Sequence, residues 1–350
     1  MVKREIALKI RKTHRYLGLF IALIFSSLSV AIFAQDVFIK TTINSLAFGS
    51  CNRTDLDPGI WNEIANKNPE AWIWLGDIVY TDDKSMKDLA EKYLIQKNLP
   101  AYQKLIKNSK IFGVWDDHDF GDNDAGSSFL KKEESRKLLF DFLNLPKNHP
   151  AQKREGAFQS YCFGVGSQKI CLYLLDVRYF KEDYESDPSP SQRYKKNKGL
   201  LLGKSQWDWL ENELKSNDAV VNLFAGGIQL ISSEHAYEKW ANFPLAQKRF
   251  FDLLAQYKIK TPLYLSGDRH IAEVSAISLE SGYCLYDVTS SGLTHSYNSL
   301  KDEVNSFRIS PLMTMLNFGI FTLDWENRLL KLEILDKKGI AQFTQNIMID

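Results

Sequence analysis

"AWIWLGDIVY" runs from Ala71 to Tyr80. Its first five residues are apolar, rich in Trp and Ile, and too few for a helix, so they predict a buried β-strand. The run then stops at a glycine, and Asp77 follows at once. The same punctuation recurs along the chain in "INSLAFGSC" (43–51), "KIFGVWDDH" (110–118), "ICLYLLDVR" (170–178), "VVNLFAGGIQ" (220–229), "TPLYLSGDRH" (261–270) and "YCLYDVTSSG" (283–292). Amphipathic stretches at 58–67, 84–98, 131–142, 205–216 and 245–257 lie between the runs and predict helices. In 205–216, Ser205 is the expected N-cap, with Trp209, Leu210 and Leu214 on one face. Strands alternating with helices indicate an α/β architecture. The tail, "FGIFTLDWENRLLKLEILD" (318–336), predicts a hairpin turning near Glu326-Asn327, so the sheets should be mixed.

Composition bounds what such a chain does. It has 350 residues, 44% hydrophobic and 25% charged, with a net charge of +1. That profile is globular and carries no global pull toward nucleic acid or acidic membranes. The N-terminus differs in kind. Residues 1–15 hold six Lys or Arg against one acid, and 16–34 are uncharged. Residues 1–34 therefore read as a secretory signal peptide, or as an uncleaved membrane anchor. Either places the rest outside the cytoplasm by the general secretory route: periplasmic, extracellular or anchored facing outward. Residues 40–350 then form a single domain with a substantial core. Cys162 and Cys171 fall opposite each other in a predicted hairpin, which leaves open a cross-strand disulfide or two buried thiols. The polar stretch 180–199 reads as a long exposed loop, either bordering a site or solvated.

The residues at the strand ends are more telling. Cys51, Asp77, Asp116, Asp117, His118, Arg178, Gln229, Asp268 and His270 all stand at or just past a run's end. In open α/β sheets the ligand site lies beyond the carboxyl ends of the strands, so these residues should converge. Carboxylates, imidazoles and a thiolate are metal ligands, and several together repel without cations. Arg178 suits a phosphate or carboxylate. The residues themselves point to a polynuclear, metal-dependent hydrolase of an anionic substrate.

The ordered set "FGSC" (48–51), "GDIVY" (76–80), "WDDHD" (115–119), "LDVR" (175–178), "GIQ" (227–229), "EKWANFP" (238–244), "SGDRH" (266–270) and "TSSGLTH" (289–295) resembles the calcineurin-like metallophosphoesterases, and among them the PhoD-like alkaline phosphatases. The resemblance implies two mixed β-sheets packed face to face with helices outside, a four-layer sandwich. It implies Fe³⁺ with Cys51 as a ligand beside Ca²⁺, which the carboxylate at Asp268 favours, with other divalent metals left open; Asp77 matches the carboxylate that bridges metals, Tyr80 a phenolate suited to Fe³⁺, and Asp117 and His270 are further metal ligands. His118 falls at the position that serves the leaving oxygen. Gln229 stands where the superfamily often has a histidine ligand, and Arg178, Gln229 and Asn123 are candidate substrate contacts. Asp116 is expected to support from behind, and Asp119, Asp122 and Asp124 to be solvated loop acids. His235 and His295 stay open; Trp240 and Phe243 read as packing.

The function implied is an exported phosphomonoesterase or phosphodiesterase of the alkaline phosphatase D type, in which metal-bound hydroxide attacks phosphorus directly. Its partner is a phosphate ester; no specific nucleic-acid binding is expected, and membrane contact only through an N-terminal anchor. The alternatives are a hydrolase of a phosphodiester polymer or phospholipid, and a non-catalytic extracellular metal- or phosphate-binding protein.

Overall fold

The computed structural model describes residues 36–56, 59–81, 85–189 and 191–350. The signal-or-anchor segment lies outside the described residues, as do the first residues of the 58–67 and 84–98 helices. Among the described residues no helix is long and apolar enough to cross a membrane.

Two sheets form the centre. The seven-stranded sheet has the order β1 (Val37–Ile39), β5 (Gln159–Phe163), β6 (Ile170–Leu174), β7 (Val221–Ala225), β8 (Pro262–Ser266), β10 (Cys284–Ser290), β9 (Ala272–Ser278). Strands β6, β7, β8 and β10 are parallel, while β5 and β9 run antiparallel to their partners β6 and β10. The six-stranded sheet has the order β13 (Ala341–Met348), β12 (Leu329–Asp336), β11 (Asn317–Asp324), β2 (Ser45–Gly49), β3 (Ala71–Leu75), β4 (Lys110–Val114). Here β2, β3 and β4 are parallel, and the β11–β12 hairpin turns where the sequence places it. The sheets are mixed, as expected.

Burial on both faces explains why these strands read as continuous apolar runs rather than alternating ones. In β3, Ile73 and Leu75 point into the core between the sheets, with Leu172, Leu223, Leu265 and Val288 from the other sheet. Trp72 and Trp74 point the other way, under α1 (Ile60–Lys67), α2 (Met86–Asn98), α3 (Pro100–Asn108) and α5 (Lys132–Phe142). There Trp61, Trp72, Trp74 and Tyr102 pack edge-on and tilted, with centroids 5.0–5.9 Å apart. Each large buried apolar side chain contributes about 1.5–3 kcal/mol. On the far side of the other sheet, α6 (Gly203–Lys215) and α7 (Pro244–Gln256) cover Phe224 and Tyr264. Trp240 and Phe243 are core residues there, as read from the sequence.

Two local expectations are corrected. Helix α6 begins before Ser205, with Leu202 at the N-cap and no side-chain cap. Trp207, not Trp209, is its fully buried ring, since it shares a face with Leu210 and Leu214. Cys162 and Cys171 pair directly across β5 and β6 and are joined as a disulfide.

Candidate metal centre

Each site-bearing strand ends in a backbone turn over the sheet edge. Cys51, Asp77, Asp268 and His270 have φ of 62°, 47°, 65° and 54°. That left-handed region is costly for residues with a Cβ, about 1–3 kcal/mol each, and clusters at functional sites. Gly76 makes the approach feasible: its φ is 88°, and a Cβ there would lie 2.7 Å from the Asp116 nitrogen.

Three donors meet at Asp77. Tyr80 donates its hydroxyl to Asp77 Oδ2 at 2.7 Å, and Cys51 Sγ lies 3.6 Å from the same oxygen. The other carboxylate oxygen, Oδ1, accepts the His118 N–H at 3.3 Å. Asp117 opens a short helix, α4 (Asp117–Phe120), and its Oδ2 accepts the Asp124 N–H at 2.8 Å. Asp77, Asp117 and His118 offer ligand atoms within 4.8 Å of one another, as do Asp116, Glu238 and Asp268, and Asp117, Asp124 and Glu238. His270 and His295 face each other at 4.4 Å between ring centroids, and His295 meets Tyr80 at 5.1 Å.

Electrostatics fit a cation. Burial first, then Asp77, pushes the Cys51 thiol well above its ordinary value. Asp77 is raised by burial and by Asp117 and Asp119, and Asp268 by burial, Glu238 and Asp117. Burial is thus aided by neighbouring acids in keeping these groups protonated. Nearby positive charge reverses that balance. His270 is lowered to about 3, by burial and then by His295 and His118. Its imidazole is therefore neutral, the form that ligates, and its buried Nδ1 has no hydrogen-bond partner. A thiol, a phenol, carboxylates and a neutral imidazole at one edge form a donor set for a hard or borderline cation.

The family model of PhoD-like phosphatases matches residues 46–303. The chain belongs to that family. Over 188 residues it is 22% identical to "Alkaline phosphatase D" of Bacillus subtilis (strain 168), a match covering 48% of this chain and 32% of that protein. The chain thus aligns with about a third of the relative's length. A solved structure described as "Structure of PhoD" superposes with a TM-score of 0.65 at 15% identity, covering 89% of this chain and 73% of that one. At that identity the likeness speaks for the fold, which is the sandwich described above.

Within this PhoD-like frame, Cys51, Asp77, Tyr80, Asp117, His118, Asp268 and His270 occupy one edge. The three expected substrate contacts do not face it together. Arg178 is fully buried: its Nε donates to Asp116 Oδ1 at 2.6 Å, and its two other nitrogens fork onto Glu238. Two carboxylates already satisfy it, so it holds the site's charge balance rather than a ligand. Gln229 is buried, and its amide donates to Glu273 and Thr289 at 2.7 Å each. Asn123 is exposed and donates to Asp124 at 2.8 Å.

Asp119 is not solvated. It is fully buried and accepts the backbone N–H groups of Asp77, Ile78 and Asp116 at 3.2, 3.1 and 2.6 Å. Asp124 is half-buried and receives the Tyr194 hydroxyl. Asp116 does support from behind, through Arg178. His295 stands at the edge, while His235 is buried and in none of the ligand groups. Glu238 was missed: it pairs with Arg178, lies 3.9 Å from Lys181, and joins two of the three acidic groups. The 180–199 loop borders the site, with Lys181 Nζ donating to the Asp124 carbonyl at 2.8 Å.

Proposed function

We propose that this chain is an exported, metal-dependent phosphoric ester hydrolase acting on phosphomonoesters, phosphodiesters or both. One observation carries the reading: a thiol, a phenol and a second carboxylate-imidazole group converge on Asp77 at the edge of a PhoD-like fold. Cys51, Asp77 and Tyr80 would hold Fe³⁺, since thiolate and phenolate suit a trivalent iron. Asp117, Asp268 and His270 would hold Ca²⁺, favoured by hard carboxylate oxygens. Bound cations supply Lewis-acid activation and neutralise developing charge. The chain's own residues do the rest. Asp119 holds the backbone of Asp77, and Tyr80 and the His118 N–H hold its carboxylate. Arg178, held by Asp116 and Glu238, keeps positive charge beneath the acids. His118 is half-buried, its ring 4.2 Å from Tyr80, and is placed to give a proton to the leaving oxygen. Location outside the cytoplasm is supported by the Cys162–Cys171 disulfide, a bond that persists in oxidising compartments.

The test is elemental analysis of the purified protein, with turnover of p-nitrophenyl phosphate and its bis ester. Iron and calcium with hydrolysis of at least one ester are expected. Fully loaded protein that cleaves neither, nor a panel of phosphodiester polymers, would favour a non-catalytic binding protein. His118→Ala should lower kcat by about 10²–10⁴, and full retained activity sinks the proton-donor role. Cys51→Ser should lose iron and its long-wavelength absorption.

A further inference from the structure

The rings at the centre continue beyond it. His118 lies against Tyr80, Tyr80 against His295, and His295 against His270. His270 then meets Tyr297 at 4.7 Å, and Tyr297 meets Tyr237 at 6.4 Å with planes 32° apart. The last two have no part in the chemistry above. Tyr297 is 40% exposed, so its ring is not filling the core. Its backbone is tied to the site, because its N–H donates to the His270 carbonyl at 2.9 Å. Tyr237 is half-buried and carries the Arg269 guanidinium 4.4 Å from its centroid and that of Arg193 at 5.3 Å. Arg269 is held by Glu303 at 2.6 and 2.7 Å. Arg193 is exposed and comes from the 180–199 loop, which is seated by its N–H on the Ala236 carbonyl at 3.0 Å. Two ordered phenol rings and a guanidinium beside a phosphate-ester centre offer a planar group stacking and cation contact.

We propose that Tyr297 and Tyr237, with Arg193 at their rim, form a subsite for an aromatic substituent of the phosphate ester. This rests on the hydrolase reading and adds the substrate class. His118 stands at one end of the ring chain and Tyr297 toward the other. The aromatic group is therefore the substituent that stays on phosphorus, while His118 serves the one that leaves. No bond to the aromatic group forms or breaks; the subsite only binds.

The test measures equilibrium binding of phenylphosphonate and methylphosphonate to the metal-loaded full chain, its Tyr297→Leu variant and its Tyr297→Phe variant. Phenylphosphonate should bind about tenfold tighter, the order of one stacking contact. Tyr297→Leu should bring the ratio toward one, and Tyr297→Phe, which keeps the ring, should preserve it. A wild-type ratio near one, a ratio unmoved by Tyr297→Leu, or binding of neither phosphonate overturns the subsite. Turnover of p-nitrophenyl phosphate and of its bis ester, followed in parallel, separates the two readings. No turnover of either ester with the phenyl preference intact overturns the hydrolase and keeps the subsite; turnover of the bis ester with a ratio near one does the reverse.

Discussion

The two sheets hold their halves of the site by different means. At the ends of β2, β3 and β4, one buried carboxylate, Asp119, itself without a cationic partner, receives three backbone N–H groups and so holds the backbone of Asp77 and Asp116. At the ends of β6 to β9 the anchors are ion pairs: Arg178 fully buried between Asp116 and Glu238, and, partly buried, Arg269 with Glu303 and Arg308 with Glu273. A carboxylate bound to backbone keeps its partners whatever side chains surround it. An ion pair out of water depends on both members, and losing one strands the other. The first half should therefore tolerate substitution of its neighbours better than the second.

Arg178→Met tests this most severely. It leaves Asp116 and Glu238 buried without their cation, and a loss of about 3–5 kcal/mol is expected. Urea denaturation would show it; a variant as stable as the parent would break the contrast. Asp119→Ala should cost less, about 1–3 kcal/mol for each stranded N–H group that water does not reach in the vacated space. Asp119→Asn should recover part of that, since an amide oxygen still accepts. If Asp119→Ala proves costlier than Arg178→Met, the ranking of the two halves is wrong.

A pH-dependent effect lies outside both halves and calibrates them. Glu213 is buried against Ser160 at 2.8 Å, and burial raises its pKa from 4.5 to about 8. A raised folded-state pKa means that its contribution is full below pH 4.5. It is lost as pH climbs toward 8, because the unfolded chain releases the proton first. Glu213→Gln should flatten stability across pH 4.5–8, by at most about 1.4 kcal/mol per pH unit. Parallel pH profiles for variant and parent would show that Glu213 does not hold its proton.

Much of the candidate site edge was legible because it comes from punctuation. A short apolar run, then a Gly or Ser, then a ligand-type residue fixes where a side chain emerges, whatever the details of packing. Residues whose role depends on what lies opposite were not legible. Arg178 reads from the sequence either as a phosphate contact or as a salt bridge to a carboxylate, since a lone arginine past a strand says nothing of Asp116, 62 positions earlier, or Glu238, 60 later. Gln229 is alike, since its partners Glu273 and Thr289 lie 44 and 60 positions on. Glu238 sits in a loop that folds back through long-range bonds, the Trp240 N–H on the Gln229 carbonyl at 2.9 Å among them. Asp119 did leave a signal: Asp116 and Asp119 have capping-box spacing, and both arms of the box are formed around α4.

The sequence by itself determined the strands, their mixed sheets and the residue types at their ends, because hydrophobic period and glycine placement are local properties. Only the tertiary structure decided which charges are spent on each other. That choice depends on distances between elements far apart in the chain, and on burial, which makes an unpaired charge too costly to leave alone.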